Sequence, residues 1–236
     1  MALDQLRSQF GFVDLTHPLD EHAPTWNGSC GFRSEIKMDY NQGLRVLAYK
    51  CHAGVGTHMD APSHFIRDAK NIGDIPLEAL IVPCYVLNLS SQRSADLIVS
   101  AKEIIQFEKM FGMIAPGSLF FAYTGWAAFW SKPDQYRNLD ESGQMHFPTM
   151  SKDAAELFLE REVAGIGIDT LSPDPQGSQF PVHHLILGKG KYILENVANL
   201  NLMPPVGAYA INLPLNIRFG AESPVRLVGL IPKGEQ

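Results

Sequence analysis

Three histidines and one aspartate fall within the thirteen residues from His52 to His64, in a chain of 236 residues that holds only 8 histidines. Imidazole nitrogen and carboxylate oxygen form the donor set that holds zinc, manganese and related divalent cations. His58 and Asp60 are two positions apart, so on an extended strand both side chains leave the same face. Gly54 and Gly56 let the backbone bend or approach closely, and Pro62 stiffens the exit from the segment. A catalytic metal site needs three or more protein ligands, so other donors must come from elsewhere in the chain. His183 and His184 follow Pro181, and Glu195 sits in the apolar run Tyr192-Ile-Leu-Glu195-Asn-Val. A carboxylate in such a run is paired, protonated or metal-bound, unless strand alternation turns it to solvent. Asp169 closes the run that begins at Val163 and is either a site residue or a helix-capping acid.

The elements that must position these groups are short. Strand-like runs rich in Val, Ile, Phe or Tyr cover Leu44–Tyr49, Ile81–Leu89, Leu119–Tyr123, Gly165–Ile168, Tyr209–Leu213 and Val225–Ile231. Pro83 cannot donate to a ladder and favours an edge or a bulge in the second run. Ser100 with Glu103 forms a capping-box pattern ahead of a helix that Gly112 stops. Ser151 caps a second helix expected to run through Glu162, and Pro181 opens a third that carries His183 and ends near Gly188. Residues 125–150 show little periodicity and read as one long loop, of the kind that often carries function. Strands and helices mix without a regular βαβ beat. The fold class expected is α/β, mixed α+β, in a single compact domain spanning residues 1–236.

Composition excludes several classes. Hydrophobic residues make up 45% and charged residues 19%, enough for a sizeable core. The net charge of −6 and the lack of a basic stripe argue against nucleic acid as a partner. Cys30, Cys51 and Cys84 are an odd number with no CxxC pair, which suits a reducing cytoplasmic location. No secretory leader and no membrane span is expected. There is no Gly-x-Ser-x-Gly elbow and no P-loop. Cys51 beside His52 is a poor nucleophile pair, because adjacent strand residues point to opposite faces.

The segment Gly56-Thr57-His58-Met59-Asp60-Ala61-Pro62-Ser63-His64-Phe65 resembles the signature of the cyclase-like metal-dependent hydrolases, the family of bacterial kynurenine formamidase and isatin hydrolase. The resemblance extends over most of the chain. It takes in Asp14-Leu-Thr-His17, Pro24-Thr-Trp26-Asn-Gly28, Gly165 to Thr170, Phe180 to His183, Leu194-Glu195-Asn196 and Ser223-Pro-Val-Arg226. It implies a fold of the swivelling β/β/α type, assembled as a homodimer or homotetramer. It implies that His58, Asp60, His183 and Glu195 hold a divalent metal, zinc or manganese, and that His64 is the catalytic acid/base. The small-molecule substrate implied is an aryl formamide or a cyclic amide. Trp26, Phe32 and Trp126 are candidates for an aromatic substrate wall.

The chain departs from the family pattern His-x-Gly-Thr-His at one place. The position four residues before His58 is Gly54. Either a bulge brings His52 to the metal, or the first coordination position is vacant and the site holds one metal. The glycine could also answer a need for positive φ. With metal bound, water is acidified from a pKa of about 15.7 toward about 7, and imidazole can pass its proton to the departing amine. A member that has lost its metal would instead be a non-catalytic binding protein.

Overall fold

The computed structural model describes residues 2–234 of the chain. An N-terminal helix α1 (Ala2–Gln9) leads into β1 (Phe10–Asp14). A side ribbon follows, β2 (Phe32–Met38) against β3 (Val46–Cys51), and then the three-residue β4 (His58–Asp60). Next come β5 (Ile81–Asn88), β6 (Ile98–Val99), α2 (Ala101–Phe111) and β7 (Leu119–Tyr123). The chain continues through α3 (Pro133–Arg137), β8 (Thr149–Met150), α4 (Lys152–Glu160) and β9 (Gly165–Ile168). It ends with α5 (Pro181–Gly188), β10 (Tyr192–Glu195), β11 (Ala208–Pro214) and the long β12 (Glu222–Pro232).

The main sheet runs β1-β12-β11-β5-β7-β9-β10-β4, and β4 also pairs with β12. That last pairing closes β12, β11, β5, β7, β9, β10 and β4 into a ring, with β1 added outside it along β12. Closure removes the exposed edges of the ring strands. The architecture is therefore a mixed α/β domain built on a closed barrel-like sheet.

Strand alternation divides the core in two. Met59, Val86, Phe121, Leu194 and Leu227 belong to one buried cluster, which fills the ring. Their neighbours Leu87, Phe120, Ile168 and Ile193 point the other way and meet Ile104 and Phe107 of α2, Phe158 of α4 and Ile186 of α5. Burying each such side chain contributes about 1.5–3 kcal/mol. The Gly165-Ile-Gly167-Ile pattern of β9 follows from this division. A Cβ at Gly165 would lie 2.6 Å from the Tyr192 ring, and one at Gly167 would lie 2.5 Å from that of Phe121. The glycines make room inside the ring while the isoleucines cover the helical side.

The helix expectations are met at Ser100, whose hydroxyl accepts from Lys102 N–H, and at Pro181. The Ser151 helix stops at Glu160, and Glu162 takes a positive φ of 54° beyond it. Pro83 lies in a ring strand and not in an edge strand, but pairing with β7 begins only at Cys84. The proline sits where the strand has a partner on one side alone. Residues 125–150 are not one structureless loop. They contain α3 and β8 and pack Trp126, Tyr136, Met145 and Phe147 into a third cluster. Among the described residues no helix is long and apolar enough to cross a membrane.

His17 follows β1 and stacks on Trp130 with ring centroids 4.0 Å apart. Its Nε2 is buried without a hydrogen-bond partner, and burial lowers its pKa from 6.5 to about 4. The unfolded chain then binds the extra proton between those two values, so stability rises with pH through that window. On acidification from pH 6.5 to 4 the protein should lose up to about 3 kcal/mol from this one group. Denaturant melts across that range should flatten in His17→Gln relative to the parent; parallel pH profiles would remove His17 as the cause.

Candidate metal centre

The site is set by the register around β4. His58 lies opposite Glu195 of β10, and Asp60 lies opposite Glu222 of β12. Directly opposed residues share a face, so the two-residue spacing of His58 and Asp60 places all four side chains on the side of the sheet that Met59 does not use. The helix α5 packs over this side and brings His183 from its first turn. His183 Nε2 lies 3.2 Å from Glu195 Oε1 and 3.5 Å from Asp60 Oδ2. His58 Nε2 lies 3.3 Å from Glu195 Oε2 and 3.4 Å from Asp60 Oδ1.

Each imidazole is oriented from behind. His58 Nδ1 meets Gly56 O at 2.9 Å, and Gly56 sits at φ 68°, a conformation that favours glycine. The same carbonyl accepts the Asn196 side-chain amide, while the Thr57 hydroxyl donates to Asn196 O. His183 Nδ1 meets Asp174 Oδ2 at 2.7 Å, and Asp174 also accepts the backbone N–H groups of Val182 and His183. These contacts leave both Nε2 atoms facing the carboxylates, the arrangement that acceptors hydrogen-bonded to the far ring nitrogen impose on ligating histidines.

The electrostatics follow from burial. His58, Asp60, His183 and Glu195 are at most 6% exposed. Burial alone would discharge His58, but the Glu195 hydrogen bond and the charges of Asp60 and Glu195 push it up to about 10. His183 is likewise raised well above its ordinary value, with Asp174, Asp60 and Glu195 overcoming burial. Asp60 is held below the usual carboxylate range because His183, His58 and His64 outweigh its desolvation. Glu222 is raised by burial and by the nearby Asp60 charge. Protons thus balance the carboxylates in the bare protein. The site nevertheless leaves both Asp60 oxygens buried with no hydrogen-bond partner. An orphaned buried carboxylate is costly, and a divalent cation between the imidazoles would satisfy it. The donor set therefore fits a metal.

His58, His183, Glu195 and Glu222 border a cavity of about 240 Å³ that is also lined by Trp26, Phe65, Leu171 and Phe180. His64, on the 3₁₀ turn Pro62–His64, lines it with Nδ1 3.4 Å from Glu222 Oε2. Phe180 holds φ 50° directly before Pro181, a strained state for a non-glycine residue. Its ring stands 6.0 Å from Trp26 and 5.4 Å from Phe65.

The sequence-derived candidates separate accordingly. His58, His183, Glu195, His64 and Trp26 line the cavity, and Asp60 is buried behind them within 3.5 Å of both imidazole Nε2 atoms. His52 does not. It is exposed and borders a different depression with Cys30, Arg33 and Cys51, so no bulge delivers it. Phe32 stacks on Tyr49 in the side ribbon, outside the cavity lining. Trp126 is buried and donates its indole N–H to Tyr136 O, a packing role. Asp169 accepts from Thr124 N–H and Oγ1 and from Ala127 N–H, tying down the loop after β7 and not facing the donors. His184 is exposed. Gly54 has no positive φ, so strain does not explain it. Asp174 and Glu222 escaped the sequence reading. Asp174 stands in a Ser-Pro-Asp-Pro turn with no periodic signal, and the place of Glu222 depends on strand register alone.

If Asp174 orients His183, Asp174→Asn should keep the helix-capping acceptor and weaken metal binding by about 10- to 100-fold. Calorimetric titration of chelator-stripped protein measures this; unchanged affinity would make Asp174 a purely structural cap.

The chain matches the Cyclase family over residues 13–175. It is 32% identical to an isatin hydrolase of Roseibium aggregatum over 190 residues, covering 75% of this chain and 72% of that one. It is 26% identical to a kynurenine formamidase of Bacillus cereus over 220 residues, covering 92% of this chain and 96% of that one. Among solved structures, an isatin hydrolase bound to the product analogue thioisatinate superimposes with a TM-score of 0.92 at 26% identity, covering 98% of this chain and 96% of that one.

Proposed function

From the premise that this chain belongs to the cyclase family, we propose that it is a metal-dependent hydrolase that opens a non-peptide C–N bond of an aryl amide, as kynurenine formamidase does. The observation that carries this is Asp60, buried between two imidazoles with neither oxygen hydrogen-bonded. His58, Asp60, His183 and Glu195 would hold the cation, zinc or manganese. When bound, it supplies Lewis acidity and a nucleophile at neutral pH.

The chain's own residues supply the rest. The aromatic ring of the substrate packs against Trp26, Phe65 and Phe180, which border the cavity. His64 takes the proton released as water oxygen bonds to the carbonyl carbon. It returns that proton to nitrogen as the C–N bond breaks, so an amine and a carboxylic acid leave. An aniline departs more readily than an alkyl amine, which favours aryl formamides. Ring opening of a cyclic aryl amide follows the same steps, and the likeness to isatin hydrolases supports it as the second reading.

The swivelling β/β/α classification, a homodimeric or homotetrameric assembly and a cytoplasmic location extend this proposal. Three helices packed on one side of the ring and three free thiols support the first and the last.

Purified protein loaded with manganese or zinc should hydrolyse N-formylkynurenine or isatin in a spectrophotometric assay. Inertness toward both with either metal would overturn the reading. Asp60→Asn should abolish turnover and lower bound metal. His64→Ala should keep its metal while kcat drops about 10²- to 10⁴-fold. Metal loss in His64→Ala equal to that in Asp60→Asn would make His64 a ligand instead.

A further inference from the structure

Glu222 is the donor that the sequence left unread. It enters β12 opposite Asp60, so its side chain shares the face of His58 and Asp60. His58, Asp60 and Glu222 each bring one potential ligand atom, and these atoms all lie within 4.8 Å of one another. Asp60 Oδ1 is buried and accepts no hydrogen bond, with His58 Nε2 3.4 Å away. The space that the Glu222 carboxylate occupies is the space above Gly54. A Cβ built at Gly54 would collide with Glu222 Oε1 and come 3.2 Å from His58 Nε2. A side chain at 54 would therefore point into the same donor group, and the glycine leaves that place to the carboxylate.

We propose that Glu222 is a direct ligand of a divalent cation together with His58 and Asp60, filling the coordination position that Gly54 does not. The position is then neither vacant nor supplied by His52. Two carboxylates and one imidazole form an oxygen-rich set, which suits a harder cation such as Mn²⁺ better than a histidine-rich set would. The two negative charges offset the charge of the ion. Glu222 Oε2 also lies 3.4 Å from His64 Nδ1, so the rival role is positioning of His64 alone.

The inference rests on the metal-centre reading above, and titration of chelator-stripped protein with MnCl₂ separates the two. If the parent protein takes up no Mn²⁺, the metal-centre reading fails, and the proposal with it. If the parent binds and Glu222→Ala binds equally well, Glu222 is not a ligand while the metal centre stands. The expected result is a loss of about a hundredfold or more in Glu222→Ala, beyond the effect of removing a group that only orients a ligand. Gly54→His, added to Glu222→Ala, should then recover at least tenfold by restoring a donor to the same space. A double variant as weak as Glu222→Ala would overturn the proposal, because a carboxylate that only orients His64 cannot be replaced from position 54. Melting temperatures of the stripped variants establish that each is folded. The rise in melting temperature on adding Mn²⁺ should shrink in Glu222→Ala and return in the double variant.

Discussion

The structure depends on the insertion of a three-residue strand between two antiparallel partners. β4 pairs with β10 on one side and with β12 on the other, and these pairings complete the ring. One register step either way would turn His58 and Asp60 into the barrel interior and bring Met59 out, because strand alternation has a period of two. The fully buried Met59 fixes the register. So the hydrophobic packing of the ring interior determines where the polar donors stand, and the same pairings bring Glu195 and Glu222 to their sides.

That arrangement concentrates charge where charge is expensive. Buried carboxylates and imidazoles require mutual pairing or a cation. In the bare protein protonated histidines provide the balance, which holds His58 as a cation up to about pH 10. The rear contacts do not relax this tension. Gly56 O and Asp174 each engage the imidazole nitrogen remote from the carboxylates. The rings are thus fixed for coordination before any ion arrives, and the orphaned oxygens of Asp60 are the residue of that preorganisation.

Local signals were legible in the sequence. The helix beginning after Ser100 and the one opening at Pro181 follow capping rules, and the strands Leu119–Tyr123 and Gly165–Ile168 have the predicted bounds. The pairing of His58 with Asp60 on one face followed from spacing alone. The links between distant segments were not legible. The ribbon strand Phe32–Met38 is largely exposed and polar, so it lacks the apolar alternation that marks a half-buried strand. Residues 125–150 are held by tertiary contacts of Trp126 and Tyr136, which periodicity cannot reveal. Glu222 was silent because its neighbour across the ladder is 162 positions away, and only strand pairing brings it to Asp60. For the same reason Gly54 read as a possible lesion, although the structure fills its empty space with a carboxylate.

The donors and the aromatic wall are built on different kinds of support. Most of the donors lie on paired strands or in the first turn of a helix, where neighbours on both sides limit movement. Trp26, Phe65 and Phe180 come from three separate irregular segments whose rings meet. Phe180 reaches that place by accepting a left-handed backbone, a cost of about 1–3 kcal/mol that packing against Phe65 and His183 must offset. Phe65 stacks on His183 at 4.6 Å and meets His64 edge-on at 4.8 Å, and the Phe180 ring lies 5.7 Å from that of His183, so the wall touches the centre through its two cavity-facing histidines, His183 and His64. Loop changes can therefore reshape the cavity without shifting the strand-borne ligands. The donors are thus placed by strand register and the aromatic wall by the packing of rings from separate segments.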